Sequence, residues 1–174
     1  MGFVVDVVGY GLRPWHLRGL VQRRVSDLKD AVLEHLDVDP RDVDQQGTGD
    51  GVLVFLPVDL DVPRAVSRLL SGWRDFLDED NRLYRDRLRL RMAVVLGPVA
   101  PGPLGFVGSP AIVAGRLLNS GVLRAAAVDN PGADMVVLLS DALHSFAVDP
   151  ADPAFTRHWV DVKDFRGHGW LWVG

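Results

Sequence analysis

The sequence predicts an α+β fold whose first half is a split β-α-β, ferredoxin-like core. Two observations carry this prediction. Between residues 3 and 94, short apolar runs and long amphipathic segments follow the order strand, helix, strand, strand, helix, strand. The chain has 174 residues and is 48% hydrophobic, which suffices for one sizeable core but is short for two. We therefore expect a single domain, 1–174, with an antiparallel sheet covered by helices on one side and by later elements or another subunit on the other.

The first strand, first helix and a hairpin occupy the N-terminal part of the chain. The strand is the apolar run Phe3–Val8, which a single carboxylate, Asp6, interrupts. A long helix is expected from Pro14, because proline suits the first helical position and apolar residues then recur every three or four positions. These apolar residues are Leu17, Val21, Val25, Leu28, Val32 and Leu36. Two short strands within Asp44–Phe55 then form a hairpin around a glycine-rich turn.

A second helix and a fourth strand complete the predicted core. Asp61 and Pro63 mark the start of the helix, and its apolar positions continue to Leu77. The strand covers Leu88–Val94, where apolar residues alternate with arginines. These are Arg87, Arg89 and Arg91. The simplest interpretation of the arginines is a solvated face of the sheet, and the alternative is that they meet a partner there.

The remaining third of the chain adds helices and a terminal hairpin. A connection rich in proline and glycine, 97–108, leads into a helix that begins at Ser109 and a shorter helix at 122–127. A strand at 135–139 and a helix capped by Ser140 follow. The last element is a hairpin over 158–173, with its turn expected at Arg166-Gly167.

Composition narrows the classes of partner. The net charge of −4 gives no basic surface for nucleic acid. The absence of cysteine fits a reducing cytoplasm. No apolar run approaches the roughly 20 residues of a membrane span, and the N-terminus starts in a strand without the basic region of a signal peptide. We expect a cytoplasmic protein with no nucleic-acid partner and no membrane partner.

Two carboxylates stand out as candidates for a metal site. A buried, unpaired charge costs several kcal/mol, so Asp6 needs a cation, a hydrogen-bond network or access to solvent. Asp50 lies in the hairpin turn Gly49-Asp50-Gly51. Together the two would form an oxygen-rich site for a divalent ion, and the glycines would let a polyphosphate approach the backbone. Taken singly, a Gly-Asp-Gly is also an ordinary turn, and a strand aspartate is also a satisfied core group.

Five segments, in this order along the chain, resemble the catalytic domain of class III nucleotidyl cyclases, the adenylate and guanylate cyclase superfamily. The segments are Val5–Tyr10, Gly49–Gly51, Gly97–Val99, Phe106–Leu117 and Val162–Val173. The resemblance covers nearly the whole chain, and it extends to the small, stand-alone actinobacterial members of the family. It implies the cyclase version of the ferredoxin-like core, with extra C-terminal helices and a terminal β-hairpin.

The resemblance also implies a site shared by the two subunits of a homodimer. Asp6 and Asp50 would hold two Mg²⁺ or Mn²⁺ ions for in-line displacement at phosphorus. The phosphates would rest on backbone amides at the start of the first helix, with Gly49 nearby. These amides belong to Val7, Val8, Gly9, Tyr10 and Gly11. From the other subunit, Arg116 would stabilise the transition state and Lys163 would neutralise the triphosphate; on their own, these two residues are equally read as surface side chains.

Four positions depart from the family pattern, one of them Ser109, where the family commonly has Asp or Asn. The transition-state asparagine falls on Ile112, and losing one such donor typically costs about 10²–10³ in rate. The lysine that reads the base in adenylate cyclases falls on Gln46, and its aspartate partner falls on Gly105. The identity of the base therefore cannot be carried over.

Two functions follow from the resemblance and its departures. The first is a divergent cyclase that converts a nucleoside triphosphate to a 3′,5′-cyclic nucleotide and pyrophosphate. The alternative is a degenerate cyclase-like module that binds nucleotide and metal without turnover, or that pairs as a heterodimer with a cyclase-like partner carrying the missing asparagine. A purely structural role would leave the charge of Asp6 in its strand without a reason.

Overall fold

The architecture is taken from a computed structural model that describes residues 1–103 and 105–174. The strands are β1 Gly2–Val7, β2 Asp44–Gly47, β3 Gly51–Phe55, β4 Leu90–Val95, β5 Ala100–Gly102, β6 Gly105–Val107, β7 Met135–Ser140, β8 Thr156–Val162 and β9 Phe165–Val173. The helices are α1 Trp15–His35, α2 Val62–Leu83, α3 Ser109–Leu118, α4 Gly121–Asp129 and α5 Asp141–Ala147, and a 3-10 turn at Tyr10–Leu12 precedes α1.

Seven of these strands form one mixed sheet in the order β2-β3-β1-β4-β7-β9-β8. The first four pair with one another in antiparallel fashion, which confirms the predicted ferredoxin-like core. Strand β7 joins β4 in parallel, and the terminal hairpin β8-β9 extends the sheet beyond β7. Strands β5 and β6 pair with each other. The connection predicted at 97–108 therefore contains a two-stranded ribbon formed by residues 100–102 and 105–107.

Helices cover both faces of the sheet. Because side chains alternate along a strand, β1 sends Phe3 and Val5 to one face and Val4 and Asp6 to the other. The first face packs against α1, α2 and α5, with Trp73 of α2 fully buried there. The second face packs against α3 and α4 through residues such as Ala114, Leu117 and Leu123. Asp6 therefore belongs to the α3–α4 face.

One helical stretch, Ser109–Asp129, is long and apolar enough to cross a membrane by length and composition, which the sequence analysis did not anticipate. It consists of two helices, α3 and α4, separated at Asn119-Ser120. The Ser120 hydroxyl caps α4 by accepting a hydrogen bond from the Leu123 amide at 3.2 Å. The apolar faces of both helices pack on the sheet, and 39% of the apolar stretch is buried in this way.

The terminal hairpin turns earlier than predicted. Val162 pairs with Phe165, so the turn is Lys163-Asp164 and not Arg166-Gly167. Lys163 has φ of 54°, a left-handed conformation that is uncommon for a side-chain-bearing residue. Two contacts favour this register. The Asp164 carboxylate accepts a hydrogen bond from Arg116 of α3 at 2.6 Å, and Phe165 packs against the core of the α3–α4 face.

Candidate functional site

Asp6 receives its counter-charge from the neighbouring strand. Arg91 of β4 lies directly opposite Asp6 in the sheet. Its guanidinium donates from Nε to Oδ1 at 3.0 Å and from Nη2 to Oδ2 at 2.5 Å. The side chains of Arg91 and Asp6 are only 16% and 10% exposed. The cation that a carboxylate in a buried strand requires is therefore part of the sheet itself.

The interpretation of Arg87, Arg89 and Arg91 as a solvated face is wrong for two of the three. Besides the Arg91 contact, Arg89 donates from Nη2 to the carbonyls of Ala127 and Asn130 at 2.7 and 2.8 Å. It thereby satisfies carbonyl groups at the C-terminal end of α4. Arg87 is exposed and forms an ion pair with Asp134. Arg91 thus neutralises Asp6 and Arg89 fastens the end of α4, because later elements cover surface that alternation alone assigns to solvent.

The β2–β3 turn brings Asp50 to Asp6. Gly51 lies opposite Asp6 in the register of β1 and β3, and the Asp50 carbonyl accepts a hydrogen bond from the Val7 amide at 3.2 Å. A Cβ atom on Gly51 would lie 1.8 Å from the Val5 carbonyl oxygen. Only glycine permits this close approach of the hairpin to β1. Asp50, in the turn just before β3, is thus held against the end of β1, the strand that carries Asp6.

Electrostatics couples the two carboxylates. Burial raises the pKa of the Asp6 carboxyl, the hydrogen bond and charge of Arg91 lower it, and the negative charge of Asp50 raises it further. Arg124 of α4 also acts on this pKa and lowers it. An added cation between the two carboxylates would relieve their repulsion.

The donor set suits a divalent ion that arrives with phosphate. Among the residues described, no three His, Cys, Asp or Glu side chains cluster as a ready-made metal site. Mg²⁺ commonly binds through one or two protein carboxylates together with substrate phosphates, so Asp6 and Asp50 fit such an ion. Of the two, Asp6 is held by Arg91 and Asp50 is not.

The predicted phosphate cradle is smaller than expected. The Val7 amide donates to the Asp50 carbonyl, and the Val8 amide donates to the Arg89 carbonyl at 2.8 Å. These two amides are therefore committed to the sheet and the hairpin. Helix α1 begins at Trp15, so residues 9–11 form a loop and a 3-10 turn in place of a helix N-terminus. Gly9, Tyr10 and Gly11 are what remains of the predicted cradle.

Arg116 and Lys163 lie together, away from the two carboxylates in the sheet order. Arg116 is in the last turn of α3, and its Nε donates to Asp164, the residue after Lys163. This guanidinium lowers the pKa of the Asp164 carboxyl. Among the described residues, no hydrogen bond or ion pair links Arg116 or Lys163 to Asp6 or Asp50.

The two positions that the resemblance assigns to base recognition are also in contact. Gln46 of β2 and Gly105 of β6 lie so close that a Cβ atom on Gly105 would be 2.1 Å from Gln46 Oε1. Ile112, in the first half of α3, is 55% exposed. Its aliphatic side chain can make apolar contacts but cannot form a hydrogen bond.

Two arginines at this site were not identified from the sequence. Arg91 reaches Asp6 through strand register, and Arg124 acts on Asp6 from α4. Both depend on pairing and packing between residues more than 80 positions apart in the chain. The unusual density of arginine along β4 is the one signal in the sequence that could have indicated the first of them.

A cavity of about 310 Å³ lies behind the hairpin, between α1 and the β2–β3 strands. Its lining includes Val25, Lys29 and Gln45 together with Asp50 and its turn. Lys29 is buried and donates from Nζ to Gln45 Oε1 at 2.7 Å. The cavity therefore adjoins the turn that carries Asp50, on the opposite face of the sheet from Asp6.

Comparison with known proteins identifies the fold. No family model and no curated protein sequence matches the chain. The guanylate cyclase domain of RhGC from Catenaria anguillulae, solved in complex with GTP, matches with a TM-score of 0.65 and 18% identity, over 99% of this chain and 94% of that one. The adenylyl cyclase CyaB from P. aeruginosa matches with a TM-score of 0.62 and 16% identity, over 99% and 91%.

A guanylyl cyclase domain of the RhoGC fusion protein from the aquatic fungus Blastocladiella emersonii, solved as a non-canonical dimer, matches with a TM-score of 0.64 and 16% identity, over 99% of this chain and 94% of that one. Similarity at this level of identity establishes the shared architecture, while activity depends on the site residues. The chain has the fold of the adenylate and guanylate cyclase catalytic domains.

Proposed function

We propose that the chain is a divergent nucleotidyl cyclase that converts a nucleoside triphosphate to a 3′,5′-cyclic nucleotide and pyrophosphate. The observation that carries this proposal is the approach of Asp50 to Asp6 through the Val7 amide and the Gly51 contact, within a cyclase fold. The neighbour solved with GTP supports a nucleoside triphosphate as the class of ligand.

The metal ions of this proposal would be held by Asp6 and Asp50. When bound, Mg²⁺ or Mn²⁺ supplies activation of the ribose 3′-hydroxyl and charge neutralisation at the phosphates, with two ions per site. The protein's own contribution is to hold the carboxylates at the end of β1, where the Gly51 approach fixes the hairpin. The loop at Gly9–Gly11 would position the phosphates by hydrogen bonds from its amides.

Arg116 and Lys163 would supply positive charge to the triphosphate while the 3′-oxygen bonds to the α-phosphorus and pyrophosphate leaves. Gln46 would face the base. Its amide carries both a donor and an acceptor, so it is compatible with more than one base.

The proposed reaction is tested by product analysis. Pure protein is incubated with each of the four triphosphates and Mn²⁺, and cyclic product is sought by mass spectrometry. We expect product from at least one triphosphate, and a large loss of product with Asp50→Ala. Equal signals from Asp50→Ala and the unmodified protein would exclude the proposal, as would an absence of product from every triphosphate.

We further propose that the site is completed in a C2 homodimer. Two observations support this: Arg116 and Lys163 make no described contact with the carboxylates, and Val107 and Ile112 are 57% and 55% exposed. Exposed apolar side chains beside a site suit a subunit contact, and a stable contact buries more than roughly 1,000 Å² in total. Mixing Asp50→Ala with Arg116→Ala should restore activity, since one of the two sites would then be intact. A monomer by light scattering at micromolar concentration, with nucleotide and metal present, would contradict it.

The second candidate function is a module that binds nucleotide and metal without turnover, or that activates a cyclase-like partner subunit. Ile112 favours it, because an aliphatic side chain replaces a hydrogen-bond donor at the position where the family stabilises the transition state. Calorimetry should then show metal-dependent triphosphate binding without cyclic product. Restoring the donor with Ile112→Asn discriminates the two functions, since a gain in product of tenfold or more would indicate a site that lacks only this group.

A further inference from the structure

The contact between Arg91 and Asp6 bears on how the carboxylate pair takes up metal, and this inference rests on the proposed function. We propose that Arg91 is an internal cation that competes with the divalent ion for Asp6. In the metal-free protein Arg91 occupies both carboxylate oxygens of Asp6, and a divalent ion binds Asp6 only when the guanidinium moves away.

Geometry makes this competition direct. The two N–H groups of Arg91 donate to different oxygens of Asp6, at 3.0 and 2.5 Å. A paired guanidinium of this kind occupies both oxygens and fixes the plane of the carboxylate. An ion that binds either oxygen would stand beside a positive charge with little water between them, since both side chains are largely buried.

Asp50 provides the contrast within the same site. Among the described residues, no ion pair or side-chain hydrogen bond engages the Asp50 carboxylate, whereas Asp6 has Arg91 in contact and the charge of Arg124 acting on it. The two carboxylates are therefore unequal. Asp50 is open to a metal ion, and Asp6 is already neutralised from two sides.

The experiment measures Mn²⁺ binding in the absence of nucleotide, at pH 8, by the loss of the electron paramagnetic resonance signal of free Mn²⁺. Arg91→Met keeps the length and packing of the side chain and removes its charge. We expect this variant to bind Mn²⁺ at least tenfold more tightly than the unmodified protein. Arg91→Lys, which keeps the charge and loses the paired hydrogen bonds, should gain only a few-fold.

Two controls make the result specific. Adding Asp6→Asn to Arg91→Met should remove the gain, because the freed carboxylate is then absent. Arg82→Met removes an arginine from another Asp–Arg pair, exposed on α2, and should leave Mn²⁺ binding unchanged. Thermal unfolding gives a second readout, since an ion that binds only the folded state raises its melting temperature: the rise with Mn²⁺ should be larger for Arg91→Met than for the unmodified protein.

The proposal is overturned if Arg91→Met binds Mn²⁺ no more tightly than the unmodified protein, or if its gain survives Asp6→Asn. If Arg91→Met does not fold even with Mn²⁺, Arg91→Lys decides, and an affinity equal to that of the unmodified protein overturns the proposal. No nucleotide enters these measurements. If the protein makes no cyclic product but Arg91→Met binds Mn²⁺ more tightly, the proposed function is refuted and this inference is supported. If the protein makes cyclic product but Arg91→Met gains no Mn²⁺ affinity, the proposed function is supported and this inference is refuted.

Discussion

Gln46 and Gly105 are in contact where β2 meets the β5–β6 ribbon. A Cβ atom on Gly105 would lie 2.1 Å from Gln46 Oε1, and Gly105 has φ of 126°. Glycine at this position therefore leaves space for the end of the exposed Gln46 side chain. In the proposed cyclase, that side chain is the one that faces the base.

Gly105→Ala should destabilise the protein because alanine is strained at this φ. We expect a loss of about 1–3 kcal/mol in the free energy of unfolding, measured by urea denaturation. Gly115→Ala is the control, because Gly115 lies in α3 with nothing within 4 Å of its would-be Cβ, and it should gain up to about 1 kcal/mol. The new methyl group on residue 105 also meets the Gln46 amide, but the exposed Gln46 side chain can move away, so adding Gln46→Ala should recover little of the loss. Equal stability of Gly105→Ala and the unmodified protein would refute the strain at this position.

The ferredoxin-like core could be predicted because its information is local. The spacing of Val21, Val25, Leu28 and Val32 along α1 specifies a buried face, and these residues are buried in the structure. The alternation along β4 likewise identified Leu90 and the other apolar residues of that strand. Patterns of this kind depend on the helix and strand repeats and need no knowledge of distant partners.

The chemistry of the site could be predicted only in part, because it depends on distant partners. Asp6 was recognised as a charge that needs a cation, but the identity of that cation as Arg91 follows from the β1–β4 register. The Val7 and Val8 amides are not free to bind phosphate because they already donate to the carbonyls of Asp50 and Arg89. The turn at Lys163 was missed because its sequence contains no glycine and has no turn signature. The turn is stabilised instead by the tertiary contacts of Asp164 and Phe165.

The close approach of Gly51 to β1 predicts a sharp difference between two hairpin glycines. A methyl group on Gly51 would lie 1.8 Å from the Val5 carbonyl oxygen, whereas one on Gly47 meets nothing within 4 Å. Gly51→Ala should therefore cost about 1–3 kcal/mol or more, because the backbone of the sheet has to move. Gly47→Ala should change the free energy of unfolding by less than about 1 kcal/mol.

Thermal and urea unfolding of the two variants check this prediction. Because the approach of Gly51 also holds Asp50 beside Asp6, Gly51→Ala should weaken Mn²⁺ binding while Gly47→Ala leaves it unchanged. Two variants of equal stability would contradict the packing of the hairpin against β1.

His144 predicts a stability that falls in mild acid. Its ring is buried and stacks on Trp170, with centroids 3.6 Å apart, and its Nε2 is without a hydrogen-bond partner among the described residues. Burial lowers the pKa of His144 below its ordinary value of 6.5. Below pH 6.5 the unfolded chain therefore binds a proton that the folded protein resists, so this residue makes the folded state less stable as the pH falls.

The test compares the unfolding free energy at pH 7.5 and pH 5.5. His144→Phe keeps an aromatic ring on Trp170 and should lose less stability between these two values than the unmodified protein. His16→Phe replaces an exposed histidine and should leave the loss as it is. The pKa of Asp6 is raised, so protonation of its carboxyl favours the folded state as the pH falls. Since this contribution is common to all variants, the difference between the variants is the informative quantity. Identical pH dependence in His144→Phe and the unmodified protein would show that His144 titrates normally.

Lys163 combines a strained backbone with a proposed charge role, and substitution can separate the two. Its φ of 54° costs a side-chain-bearing residue roughly 1–2 kcal/mol. Lys163→Gly should therefore hold or raise the free energy of unfolding, by up to about 1 kcal/mol after the entropy of glycine is counted. Lys163→Ala keeps the strain and should be the less stable of the two.

Both Lys163 variants lose the same positive charge, so in the proposed function both should bind triphosphate with equally reduced affinity, measured by calorimetry with Mn²⁺ present. Asp37 is the other non-glycine residue with positive φ in the described part of the chain, and Asp37→Gly controls for the backbone change without touching the site. Its triphosphate affinity should match that of the unmodified protein. Reduced affinity in Lys163→Ala alone would trace the effect to the shape of the turn, since charge is lost in both. Unchanged affinity in both would remove Lys163 from the site and leave Arg116 as the basic group that α3 contributes.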